Sequence, residues 1–415
     1  MARHYSTKDF FRQMPNALLA RYFAGQEACS ALDFSANAKA KPGEQFGAWL
    51  YLAEPHRHAM EAEFRDIFEM SCEKGFRAIM DEAAWHLRGD PAAFTAFVEN
   101  LAALANHYEH AMVTYLDHNA YWKGATRFYH ADTLPYWRKR KNLPHVAAAV
   151  DVVSITALAD KMRIYFHHTE GRGKNCVVEP LRRGDLDYFF AYPEDYSQQS
   201  VEWVDGAFNR RPHNPAFEVV FVYSQKEGSL DLNLRGSFKA IVPMQGMFAT
   251  EILKLPELPP DPKDERVYDL APLSQKSFNF TPAVGSGIEK VLVKKLRLSE
   301  RSKKGNRLTV EADTTENPAA VYDLLEEIGK SVPLHLYSVT QVDLTAYVTD
   351  GNNPAKAVSF RIGHPNSCSL KYDELDLKLR DMLEASGIEP KEPEPASDTV
   401  TASASASATA TVAGA

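Results

Sequence analysis

The stretch from Phe217 to Leu255 constrains this chain most, because its pattern returns twice further on. Phe217, Val219, Phe221 and Tyr223 alternate with their neighbours, Ser224-Gln225-Lys226-Glu227-Gly228 offers a turn, and Leu230, Leu232 and Leu234 alternate again around Asp231, Asn233 and Arg235. A period of two with one polar phase is that of a strand with a wet face. Met244, Phe248, Ile252 and Leu255 then recur on one helical face, so the unit is strand, turn, strand, helix.

In the second copy Val291, Val293, Leu296 and Leu298 form the outgoing strand and Leu308 with Val310 the return. Val321, Leu324, Leu325 and Ile328 then make a helix stopped by Gly329. In the third, Val342, Leu344, Ala346 and Val348 alternate, Asp350-Gly351-Asn352-Asn353 turns the chain, and Val358, Phe360 and Ile362 return. Leu375, Leu379, Met382 and Leu383 supply its helix, ended by Gly387. The copies share pattern and little identity, which does not separate internal duplication from independent recurrence. Either way, hairpin connections imply antiparallel sheet layers with helices on one face.

The region before these units reads as helical. Apolar stripes at helical spacing run through residues 6–23 and 60–80, the latter as one long helix with Gly75 as its flaw. Asp90-Pro91 caps another helix, a further one spans His107 to Asn119, and the last runs from about Ser154 to His168 before Gly171 and Gly173. Strands are expected at Cys176 to Leu181, Leu186 to Tyr192 and roughly Ser200 to Phe208. The fold class expected is α+β: an all-helical domain over 1–170, an α+β domain over 174–255, a Pro-rich linker over 256–266, a second α+β domain over 267–388, and a disordered tail over 389–415.

A length of 415 residues fits two or three such domains, and 45% hydrophobic with 25% charged residues is ordinary for a soluble protein. There is no apolar run of membrane-spanning length, so no membrane partner is expected and a cytoplasmic location is the default. Cys29, Cys72, Cys176 and Cys368 lie far apart with no CxxC pair, which points away from a zinc ribbon or a disulfide framework. No Rossmann fingerprint, P-loop, nucleophile elbow or HExxH stretch occurs, and no cofactor is expected. His107 and His110 lie three apart on a helix, but without ExxH pairs on two helices they do not make a metal site.

Two kinds of residue cluster carry potential chemistry. Glu179, Asp185 and Asp187, near Lys174, Arg182 and Arg183, are the carboxylates a metal-dependent nuclease or phosphodiesterase would need, although no ExK pair follows these strands. The segment Tyr136-Trp137-Arg138-Lys139-Arg140-Lys141 joins stacking rings to charge. The turn from Lys294 to Arg307 holds Lys294, Lys295, Arg297, Arg301, Lys303, Lys304 and Arg307 against one acid, Glu300. Phosphate attraction with ring stacking is how nucleic acid is held without reading its sequence. A net charge of -8 argues against indiscriminate coating of nucleic acid and leaves room for a local basic face. The expected function is a non-catalytic interaction protein that contacts nucleic acid or a nucleoprotein partner through these two segments. The nuclease is the alternative, and a protein-assembly subunit the third.

Overall fold

The computed structural model describes residues 4–26, 42–204, 206–236, 238–260, 266–303, 305–349 and 354–390. Eight helices come first: α1 (Thr7–Gln13), α2 (Asn16–Ala24), α3 (Pro42–Leu50), α4 (Glu54–Met70), α5 (Glu73–His86), α6 (Pro91–Ala102), α7 (His107–Asp117) and α8 (Asn119–Ala131). Their starts follow capping chemistry. The Ala93 N–H donates to Asp90 Oδ1 at 3.0 Å, and Asn106 Oδ1 accepts from Tyr108 and Glu109. The long helix expected over 60–80 is parts of two helices, broken at Ser71-Cys72. Gly75 belongs to the break, since a Cβ there would lie 2.1 Å from the Met70 carbonyl oxygen. Phe10, Phe11, Phe23, Trp49 and Phe64 stack around one another to form the centre of this helical region.

The rest of the chain builds β1 (Trp137–Arg140), α9 (Val152–Glu170), β2 (Cys176–Arg183), β3 (Leu186–Pro193), β4 (Gln198–Val204), β5 (Ala207–His213), β6 (Val219–Ser224), β7 (Ser229–Leu234) and α10 (Ile241–Glu251). Then follow β8 (Ile288–Glu300), β9 (Arg307–Glu311), α11 (Ala320–Gly329), β10 (Tyr337–Val348), β11 (Lys356–Gly363), β12 (Ser367–Cys368) and α12 (Glu374–Ala385). Ten of the strands form one sheet in the order β2-β3-β6-β7-β1-β12-β11-β10-β8-β9, antiparallel at every step. The strand-turn-strand-helix pattern is present in all three places, and the architecture is α+β with the helices concentrated toward the N-terminus.

Several expectations need correction. The stretch 1–170 is not all helical, because it contains β1, the strand that joins β7 to β12 and so makes two layers into one sheet. The strand expected over Ser200 to Phe208 is the hairpin β4–β5, standing apart from the main sheet with Trp203 71% exposed. The linker is partly packed: Leu258 lies against the core and the Pro259 carbonyl accepts from Arg140. Glu389, placed in the tail, is buried. Residues 391–415, Lys304, the turn 350–353 and most of the remaining linker lie outside the described residues.

The helices sit on both faces of the sheet, not on one, and the register shows how. Directly paired residues project to the same side of a sheet. On the first face the row Asn233, Trp137, Cys368, Ile362, Val342, Leu296 runs from the helical N-terminal region to the cluster holding α11 and α12. On the second face the corresponding row is Phe221, Leu232, Arg138, Ser367, Gly363, Gln341, Arg297. It begins apolar, under α9 and α10, where Phe248 meets Phe189 at 5.1 Å and Phe221 at 5.2 Å. From β1 onward it is mostly polar, with Leu292 and Thr345 buried on it and Phe238 at its border, and among the described residues none of α1 to α12 contributes a buried core cluster over it.

Candidate nucleic-acid interface

The uncovered half of the second face is built by the polar phase of strands whose other phase is core. Along β10, Val342, Leu344, Ala346 and Val348 are buried, while Gln341, Asp343, Thr345 and Tyr347 turn the other way. Bulges in the β8–β10 pairing keep the two phases in step over the length of both strands. The rows across this face are Arg307 with Ser299, Thr309 with Arg297 and Gln341, Glu311 with Lys295, Asp343 and Arg361, Leu292 with Thr345 and Ser359, and Lys290 with Tyr347. Leu292 and Thr345 are buried, so the open surface lies in the other rows.

Charge on the face is unbalanced. Asp343 accepts both Arg361 Nε and Nη2 at 2.7 Å. Burial works against its ionisation, yet Arg361 holds the carboxyl below the ordinary carboxylate range. Glu311 is paired with Lys295. Five cations have no carboxylate partner among the described residues. Arg297 donates to Gln341 Oε1 at 3.3 Å, Arg301 Nε donates to Ser338 Oγ at 2.8 Å, Lys290 lies 4.4 Å from the Tyr347 ring, Arg138 lies 4.9 Å from the Phe238 ring, and Arg307 is exposed. At the border between covered and bare halves, Tyr136 is 52% and Phe238 71% exposed.

The structure divides the basic-aromatic segment read from sequence. As β1 it alternates, so Trp137 and Lys139 point to the first face and only Arg138 is left on the open one. Trp137 is fully buried, its ring edge against Tyr372 at 5.4 Å, and cannot stack on a base. Lys139 is buried with its Nζ 2.7 Å from Glu227 and 3.9 Å from Glu389. Burial alone would lower its pKa, but Glu389, Asp231 and Glu227 together raise it. Arg140 is buried and donates to a carbonyl, and Lys141 pairs with Glu389 at 2.9 Å. The second basic segment fares better: Lys295, Arg297, Arg301 and Arg307 reach the open face. Lys303 is exposed at the hairpin turn, Lys294 sits at a bulge with its carbonyl accepting from Ala312, and Lys304 lies outside the described residues. Sequence reasoning missed Lys290, Arg361, Tyr347 and Phe238. The polar phase of the third repeat is the signal that would have found Tyr347 and Arg361.

The carboxylates considered for metal chemistry do not converge. Glu179 pairs with Phe190 on the first face, and Asp187 pairs with Tyr223 on the second. Glu179 is ion-paired with Arg127 at 3.2 Å and Asp187 with Arg182 at 3.0 Å, while Asp185 is exposed at the turn between β2 and β3. Among the described residues no three His, Cys, Asp or Glu side chains gather as a metal site would require. His107 and His110 meet each other at 3.2 Å and pack against Phe76, and burial lowers the His110 pKa. Among the described residues no helix is long and apolar enough to cross a membrane.

No protein-family model matches the chain, and no curated protein matches it in sequence.

Proposed function

We propose that the bare half of the second face binds single-stranded nucleic acid through its backbone, with little dependence on sequence. The observation that carries this is the set of cations without carboxylate partners among the described residues, Arg138, Lys290, Arg297, Arg301 and Arg307, on a largely exposed sheet face bordered by exposed rings. A groove or sheet that offers phosphate partners beside stacking rings suits unpaired bases, which have free faces that duplex bases lack. The net charge of -8 then lies elsewhere on the surface, which favours one oriented contact over general coating.

The test is fluorescence anisotropy with a labelled single-stranded oligonucleotide across a salt titration. Changing Arg297, Arg301 and Arg307 together to Gln is expected to lower affinity about 10- to 100-fold at low salt and to reduce the slope of log K against log salt by about 2, as the loss of three phosphate contacts implies. These side chains are exposed or half-exposed and none is in an ion pair among the described residues, so the melting temperature should hold. An unchanged slope overturns the assignment.

The hairpin β4–β5 favours a second reading, a protein-assembly subunit. Val201, Trp203 and Phe208 share one of its faces and are all exposed. Failure of the intact protein to bind the oligonucleotide, together with stable co-purification of a protein partner, would move the assignment there.

A further inference from the structure

A cleft of about 350 Å³ opens where the covered and bare halves of the second face meet. Tyr136, Arg138, Leu234, Arg235, Phe238 and Ile241 are among the residues that line it, and its volume is in the range of small-ligand sites. Three properties of this lining narrow what it takes. Both charged residues are arginines, and neither has a carboxylate partner among the described residues. The Arg138 guanidinium is half-buried against the Phe238 ring, so its charge has lost part of its water without gaining a counter-ion. Burial accordingly lowers its pKa. Finally, Phe238 and Tyr136 are 71% and 52% exposed, which leaves ring surface at the mouth on which a planar group can stack.

Backbone geometry supports a built site. Tyr136 holds a left-handed conformation at φ 59°, uncommon for a residue with a side chain, and Gly236 has φ 133°. Gly236 also lies close to Arg172, whose guanidinium is fixed by Glu170 at 2.7 Å and Asp195 at 2.9 Å and by the Phe217 ring at 3.8 Å.

We infer that this cleft is a nucleotide subsite, with Arg138 and Arg235 on the phosphate and the base against Phe238 and Tyr136. The inference rests on the nucleic-acid assignment for its biological occupant, one nucleotide of a bound strand. The chemistry is shared with a free nucleoside monophosphate, and the experiment separates the two.

Adenosine 5'-monophosphate, adenosine and inorganic phosphate are titrated separately into the intact protein by calorimetry, and a labelled oligonucleotide by anisotropy. The monophosphate is expected to bind more tightly than either of its parts. Phe238→Ala, at an exposed position, should weaken it about tenfold, the size of one lost base-stacking contact. Arg138→Gln should weaken it further, and Arg297→Gln with Arg301→Gln should leave it unchanged. If Phe238→Ala also weakens the oligonucleotide, the occupant is a nucleotide of a strand; if only the monophosphate is affected, it is a free nucleotide. Monophosphate binding with no oligonucleotide binding would sink the face assignment and keep the cleft. No monophosphate binding, or binding indifferent to Phe238→Ala and Arg138→Gln, overturns the inference even where the oligonucleotide binds.

Discussion

Replacing Arg183 with Leu is expected to destabilise the protein by about 3–5 kcal/mol, the cost of leaving a buried charge without its partner. Arg183 comes from the end of β2 and reaches back into the helical region. Its Nη1 donates to both oxygens of Asp132 at 2.9 Å, and its Nε donates to Asp81 at 2.8 Å. Asp132 is almost fully enclosed, while Asp81 is more than a third exposed and can be rehydrated, so the penalty falls on Asp132. Burial pushes the Asp132 carboxyl up to about 6 even with the guanidinium beside it. An acid raised in this way stabilises the folded state below its unfolded pKa and loses that contribution as pH rises through about 6. Without Arg183 the carboxyl must rise further, so the deficit of Arg183→Leu relative to the parent should be largest near pH 8 and narrow toward pH 5. Chemical denaturation at the two pH values checks this. Adding Asp132→Leu should recover much of the loss, because it removes the orphaned charge along with its partner. Equal deficits at both pH values would contradict the account.

Lys139→Met is the second large effect, about 3 kcal/mol of stability. Lys139 lies at the middle of the strand that joins the two halves of the sheet, with Glu227 and the buried Glu389 as its partners. Glu227 is held down to about 2: burial opposes its ionisation, but Lys139 outweighs that. Lys141, 2.9 Å from Glu389 in the parent, remains as a partner for that acid, which keeps the cost toward the lower end of that for a broken buried pair. Lys303→Met, in the exposed turn, should change stability by less than about 0.5 kcal/mol. Thermal melts of the two variants side by side make the comparison. It also shows that alanine substitution across Arg138 to Lys141 would remove the fold's central strand contacts before it reported on binding.

The contrast between these lysines shows what the sequence made legible. Period-two alternation revealed β8, β10 and β11, because each buries mainly one face and only one register satisfies that. The same signal revealed β6 and β7, but both of their faces are buried, so the wet face expected of them is covered by the helical region. The same alternation already held the open interface, in Gln341, Asp343 and Tyr347, but polar residues between core positions look alike whether water or a ligand covers them. Tyr136 to Lys141 misled for a physical reason. A strand of four residues is too short to show its period, and the charge of its Lys139 is neutralised by Glu227 and Glu389, partners 88 and 250 positions away by sequence number (227 − 139 and 389 − 139). No local pattern encodes such distant pairing. Similarly, Glu179 and Asp187 are close in sequence, yet the register of β2 against β3 puts them on opposite faces.

Lysine footprinting tests the central claim most directly, the claim that the uncovered half of the second face is where nucleic acid lies. The protein is acetylated with and without a saturating single-stranded oligonucleotide, and each lysine is followed by mass spectrometry. The account predicts protection of Lys290 and Lys295 on the bare face, with Lys123 on the helical region and Lys254 beside α10 reacting as before. Protection of Lys123 or Lys254 while Lys290 and Lys295 remain fully reactive would contradict it.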